Sequence, residues 1–213
     1  MRTVPDEFIR AHTRPARPQL VPEVTLLVAD DVVALWEALE QGEVDPGSDP
    51  PFWAAAWPGG QALARYVLDH PEVVAGRTVL DLGAGSGLVA IAAAMAGAAA
   101  VIASEVDPYG RAAIAANAQD NGIAPVTVVG DLLDGEPDPG LDVVLAGDVC
   151  YDRAMTERVL PFLGRAWLGG GAVYLGDPGR PYVPREGLLE VAAVDVPDTE
   201  GPGLRRTTVW RLP

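Results

Sequence analysis

A chain of 213 residues that is 49% hydrophobic and 21% charged can bury one full core, so a single domain with a short extension is expected. Thirty acidic residues against fifteen basic ones leave a formal charge of −15, and no Lys/Arg cluster offers a face for phosphates, so no nucleic-acid partner is expected. The single cysteine, Cys150, excludes an intrachain disulfide and a cysteine-built zinc site; His12 and His70 stand far apart with no acids spaced beside them, so no metal is expected either.

The N-terminus carries Asp6 and Glu7 and lacks the apolar run of a signal peptide, which predicts a cytoplasmic protein. Residues 1–21 read as irregular, with a short helix between Glu7 and His12. VTLLVAD (Val24–Asp30) reads as a strand, and DVVALWEALEQ (Asp31–Gln41) as a helix capped by Asp30 or Asp31. Gly42–Pro51 has the composition of a loop. Pro58–His70 spaces Leu63, Ala64, Val67 and Leu68 as a helix does, and Pro71 stops it. Residues 1–71 are expected to form an N-terminal extension and 72–213 the core, in one compact body.

From Thr78 onward, strands and helices alternate. TVLDL, AVIASEV, VTVVG, LDVVLAGD and GAVYLGD read as strands. LVAIAAAMAG, RAAIAANAQDNG and RAMTERVLPFLGRAW read as helices, the last kinked or split at Pro161. This alternation predicts an α/β fold with a parallel sheet covered on both faces. LLEVAAVDV and LRRTTVWRL read as a hairpin on its edge. The uncharged stretch Leu82–Ser104 is long enough for a membrane span, but four glycines interrupt it and Asp81 and Glu105 bracket it, so no membrane partner is expected.

RTVLDLGAGSGLVAI (Arg77–Ile91) runs from a strand through Gly83, Gly85 and Gly87 into a helix, as in folds that seat a nucleotide-like ligand. Leu88 stands where the third glycine of a dinucleotide fingerprint would fall. Asp81 would repel a pyrophosphate but suits a ligand bearing an ammonium and a sulfonium. Glu105 closes the next strand, where an acid can accept from both ribose hydroxyls; Asp131 closes the third, where an acid can meet an adenine amine. S-adenosylmethionine fits that set.

The segments LDLGAGSG, ASEVDP and GDLLD resemble the cofactor motifs of class I S-adenosylmethionine-dependent methyltransferases, a doubly wound, seven-stranded, mostly parallel sheet. AGDVCYD (Ala146–Asp152) is similar to the D-x-x-Y motif of the family-16 protein-lysine methyltransferases. PPFWAAAWPGGQALARYVLDHP (Pro50–Pro71) and GDPGRP (Gly176–Pro181) resemble the electron transfer flavoprotein beta-subunit lysine methyltransferases and their bacterial relatives. The likeness runs from Asp6 to Leu212. Ribosomal protein L11 methyltransferases share the core motifs, but their asparagine-proline signature is absent here, where GDVCYD stands instead.

The resemblance implies protein-lysine N-methylation with the beta subunit of electron transfer flavoprotein as substrate. Small-molecule amine methylation and ribosomal protein methylation are the alternatives on the same fold. Asp148, at the carboxyl end of the fourth core strand, is expected to touch the cofactor and to accept a hydrogen bond from the incoming amine. Tyr151 is expected to wall the lysine channel. The resemblance implies that Trp57 lies over the cofactor, beneath the N-terminal extension. Gly59 and Gly60 are expected to leave room for a ligand, Cys150 to be a small buried residue, and Asp107 to cap the helix that Pro108 begins. Asp177 and Arg180 of GDPGRP are expected to face the substrate, without an assigned role.

Overall fold

Apolar runs of five or six residues build the centre of the protein. The computed structural model describes residues 5–42, 50–124, 126–197 and 203–213, so most of the loop expected over Gly42–Pro51 lies outside the described residues. In chain order the elements are α1 (Pro5–His12), β1 (Arg14–Ala16), β2 (Leu26–Val28), α2 (Val32–Gly42), α3 (Pro58–Asp69), β3 (Thr78–Leu82), α4 (Leu88–Met95), β4 (Ala100–Ser104), α5 (Pro108–Asp120), β5 (Thr127–Val129), β6 (Val143–Gly147), α6 (Arg153–Leu168), β7 (Ala172–Asp177), β8 (Leu189–Pro197) and β9 (Leu204–Arg211).

Seven strands form one sheet in the order β5-β4-β3-β6-β7-β9-β8. The first five are parallel, and β9 runs antiparallel to both β7 and β8. The sheet is thus the doubly wound one expected, with the hairpin at its edge. Val79 to Leu82 of β3 and Val143 to Ala146 of β6 are buried throughout, as strands covered on both faces must be. Strand order reverses between β3 and β6, and the crevice above such a reversal is where this architecture binds ligands.

Residues before β3 hold more structure than their composition suggests. The stretch expected to be irregular contains β1, paired antiparallel with β2. The expected helix at Glu7–His12 is α1, and Asp31 caps α2 by accepting the N–H groups of Val33 and Ala34. This layer sits on α5: Ile9, Leu27, Leu35 and Trp53 are buried with Ala113 and Ala116. Asn117 of α5, fully buried, accepts the N–H of Leu27 at 2.9 Å and donates to the Ser86 carbonyl at 2.8 Å. Val21, Val24 and Leu26 share one hydrophobic cluster with α3, α4 and the sheet, so the core is continuous across residue 71.

Pro161 does not split α6, which runs without interruption from Arg153 to Leu168. Pro161 and Glu157, whose carbonyl loses its partner, are both exposed, so water can satisfy that carbonyl. Thr156, Val159, Phe162, Leu163 and Ala166 bury the opposite face and hold the helix through the proline. Among the described residues no helix is long and apolar enough to cross a membrane.

Candidate active site

A cleft of about 1380 Å³ opens at the carboxyl edge of the parallel strands. Trp57, Asp81, Gly83, Gly85, Glu105, Asp131, Asp148 and Tyr151 all line it, so the sequence-predicted residues converge on one place. Gly87 is the exception. Its role is packing: a Cβ there would lie 3.2 Å from Ile114, and it starts α4 in the left-handed conformation. Gly83, Gly85 and Gly87 have φ of 68°, 53° and 79°, which explains glycine at all three.

Asp81 is fully buried on β3. Its Oδ2 accepts the N–H of Ala90 at 2.9 Å, the third residue of a helix whose own N-cap, Gly87, has no side chain to offer. Burial pushes this carboxyl up to about 7, with the Ala90 N–H opposing and the nearby Glu105 adding to the rise. Glu105 accepts the N–H of Gly85 at 2.8 Å through Oε2 and that of Asp107 at 2.9 Å through Oε1, so it clamps the glycine turn to the end of β4. Burial raises this carboxyl too, against those two hydrogen bonds. Gly110, which the sequence reading passed over, makes the clamp possible: a Cβ there would sit 2.8 Å from Glu105 Cγ. Asp107 caps α5 as expected, accepting the Tyr109 N–H at 2.8 Å.

Asp131 accepts the Leu133 N–H at 3.0 Å and pairs with Arg158 of α6 at 2.8 Å, which holds its carboxyl below the usual range. The aromatic wall has a member that the sequence reading missed. Phe52 lies 5.8 Å from the Trp57 ring and 5.2 Å from that of Tyr151, and its carbonyl accepts the Trp57 indole N–H at 2.7 Å. Trp53 is buried away from this wall, 6.4 Å from Tyr109. Tyr151 is 37% exposed and stands at the rim.

Asp148 follows β6 with φ of 59°, the one left-handed non-glycine among the described residues. Its N–H donates to the Gly176 carbonyl at 2.9 Å, its Oδ2 accepts the Gly60 N–H at 2.7 Å, and its Oδ1 meets Arg180 Nη1 at 2.6 Å. Burial lifts its carboxyl above the ordinary range, with Arg180 and the Gly60 N–H opposing. The N-cap of α6 is Asp152, which accepts the Met155 N–H at 2.7 Å, so Asp148 is not used as a helix cap there.

Gly60 lines the cleft with nothing nearer than 3.9 Å to an added Cβ, but Gly59 leaves no room for a ligand, which corrects that half of the sequence reading. Gly59 meets the Gly176 carbonyl so closely that any Cβ would collide with it, and a Cβ on Gly147 would lie 2.8 Å from Gly60 Cα. The space at Gly59 is filled by β7 and that at Gly147 by the backbone of Gly60, so α3 rests directly on the sheet beside Asp148. Cys150 is buried and its thiol is pushed up to about 11, which suits a packing residue rather than a nucleophile. Among the described residues no group of three His, Cys, Asp or Glu is arranged to hold a metal.

The model of the ribosomal protein L11 methyltransferase family matches residues 61–149. Over 200 residues the chain is 40% identical to the electron transfer flavoprotein beta subunit lysine methyltransferase of Danio rerio, covering 90% of this chain and 76% of that protein. The protein of that name from Homo sapiens is 37% identical, with 90% and 75% covered. Among solved structures, the precorrin-6y C5,15-methyltransferase of Geobacter metallireducens superposes with a TM-score of 0.51 at 23% identity, over 71% of this chain and 87% of that one, a likeness of fold.

Proposed function

The chain belongs to the electron transfer flavoprotein beta subunit lysine methyltransferase family, and from that premise we propose that it methylates a lysine of that beta subunit, with S-adenosylmethionine as cofactor. The observation that carries this reading is the extent of the likeness. It takes in 90% of the chain, including the Trp-rich segment before β3 and GDPGRP after β7, whereas the L11 family model meets residues 61–149. A net charge of −15 supports a protein substrate over a nucleic acid.

The cleft fits this cofactor on its own chemistry. Asp81 is a buried carboxyl lifted to about 7 with a backbone N–H beside it, and the ammonium of a methionine tail would restore its charge. Each Glu105 oxygen takes one N–H and keeps a lone pair for a ribose hydroxyl. Asp131 is the acid for the adenine amine, and the Trp57 face suits adenosine or a sulfonium. When bound, S-adenosylmethionine supplies an electrophilic methyl group on its sulfonium.

The residues of the chain then have to deliver a neutral amine in line. A lysine side chain is protonated at neutral pH, with an unperturbed pKa of about 10.4. The aromatic wall of Phe52, Trp57 and Tyr151 excludes water from the channel, which favours the neutral amine; the proton leaves to water at the rim beside Tyr151. Asp148 accepts a hydrogen bond from the amine nitrogen and turns its lone pair toward the methyl position, so that positioning supplies much of the rate.

The test is incubation of the protein with purified electron transfer flavoprotein and methyl-labelled S-adenosylmethionine. Label on the beta subunit, with a methylated lysine in its peptide spectrum, is the expected result. A flavoprotein left unlabelled, with label moving only into small molecules when a cell extract is added in its place, would instead assign a small-molecule amine methyltransferase.

A further inference from the structure

We propose that Arg180 is a positioning residue for methyl transfer: its guanidinium, fixed by a turn after β7, holds the Asp148 carboxylate in its acceptor form at the cleft. The inference rests on the reading that Asp148 receives the incoming amine.

The placement of Arg180 is built in from the backbone outward. Asp177, the last residue of β7, accepts the N–H groups of Gly179 and Arg180 through Oδ1, both at 2.7 Å. That closes an Asx turn directly beside β6, because β7 is its parallel neighbour. The main chain of Arg180 is therefore fixed, and its Nη1 reaches Asp148 Oδ1 at 2.6 Å and lies 3.6 Å from Asp177 Oδ2. The two side chains of the Arg180–Asp148 pair are only 13% and 10% exposed, so water and salt screen the pair weakly. Both also line the cleft, so the pair belongs to its wall.

The surroundings make the guanidinium necessary. Arg180 and Asp177 face Asp148 from the β7 turn. From α3 comes only the helix N-terminus with the Gly60 N–H, and the adjacent Cys150 thiol stays protonated. Two buried acids, Asp148 and Asp177, thus share one cation. Without it, like charge and burial together favour a proton on one of them. A protonated Asp148 oxygen is a donor and repels the N–H it has to accept, so the amine loses the partner that orients its lone pair. Arg180 keeps the oxygen an acceptor, and the Gly60 N–H on the other oxygen fixes the plane of the carboxylate.

The decisive experiment reads Asp148 directly. The cofactor-free protein, labelled with carbon-13 at aspartate carboxyls, is titrated by NMR, and the Asp148 signal is identified by its loss in Asp148→Asn. In Arg180→Met the Asp148 midpoint is expected to rise by about 1 to 3 pH units, and Arg180→Lys is expected to recover much of that shift. With electron transfer flavoprotein as substrate, Arg180→Met should lower kcat with KM little changed and move the acid limb of the pH profile upward, and Arg180→Lys should rescue it. An unmoved midpoint in folded Arg180→Met overturns the proposal. So does a variant with higher kcat and lower KM, because Arg180 would then be occupying the place of the amine. Should Arg180→Met not fold, Asp177→Asn keeps the Oδ1 acceptor and removes the neighbouring charge; the midpoint is then expected to fall, and no change overturns the coupling. A shifted midpoint in a protein that leaves the flavoprotein unlabelled would retain the Arg180 assignment and reject the substrate.

Discussion

Asp81 and Asp148 stand in the same relation to the two helices that flank the cleft. Each is an acid at the carboxyl end of a central strand, and each accepts the N–H of the third residue of a helix, Ala90 in α4 and Gly60 in α3. Neither helix has a side-chain cap of its own, since Gly87 and Trp57 occupy the N-cap positions. The strands β3 and β6 therefore cap the helices that cover them, and the positive ends of both helix dipoles point at the cleft acids. This couples the charge state of the site to the seating of the helices.

Asp148→Asn removes the charge while leaving one oxygen and the packing. We expect kcat for the flavoprotein substrate to fall by at least about 100-fold, with the Kd for S-adenosylhomocysteine little changed in calorimetry. Full activity in this variant would remove Asp148 from the reaction.

Asp81 gives the protein a pH dependence of a definite sign. Its folded value is raised from 3.8 to about 7, so between those values the folded chain holds a proton that the unfolded chain has lost. The contribution of this group to stability is accordingly greatest below the lower value and declines as pH rises through the window. Binding of an ammonium-bearing ligand should strengthen over the same range, by up to about tenfold per pH unit, and level off above about 7. Calorimetry with S-adenosylhomocysteine from pH 5 to 8 checks this, and Asp81→Asn should flatten both dependences.

Gly59 and Gly60 are neighbours with opposite tolerance. Gly59→Ala drives a methyl group into the Gly176 carbonyl and should cost about 1 to 3 kcal/mol, read as a Tm lowered by several degrees. Gly60 has nothing nearer than 3.9 Å to an added Cβ, and Gly60→Ala should be neutral or slightly stabilising. Equal losses in both would contradict the packing described here.

Gly110→Ala acts on the cofactor at a distance. The added methyl displaces Glu105 from Gly85 and frees the glycine turn, so the Kd for S-adenosylhomocysteine should rise about tenfold or more while the Tm moves little. Unchanged affinity would mean that Glu105 does not hold the turn.

The core was legible wherever local pattern and tertiary role agree. TVLDL carries an acid one residue from its end and runs into alternate glycines, and that stretch alone locates β3, the turn and α4. The segment GDVCYD likewise announces a strand end with an acid on it. What could not be read are relations between distant segments. Arg14–Ala16 carries a proline and two exposed residues, and only pairing with β2 makes it a strand. Gly59 looks like clearance for a ligand until β7 is brought against it. Arg180 has no visible partner in the sequence, because the 32 residues separating it from Asp148 are closed by β6 and β7 lying side by side. Pro161 is a helix breaker by propensity, and the five buried positions around it override that preference.

The order β7-β9-β8 carries a consequence for how the protein is made. Among the described residues β8 has no neighbour except β9, and β9 closes against β7 only after residues 204–211 exist. A nascent chain that has already emerged through β8 therefore displays the free edge of β7, beside the Asp177 turn. It also holds β8 as an unpaired ribbon. Synthesis of the rest of the hairpin seals that edge, so a chain interrupted before residue 204 would expose it to pairing with another chain.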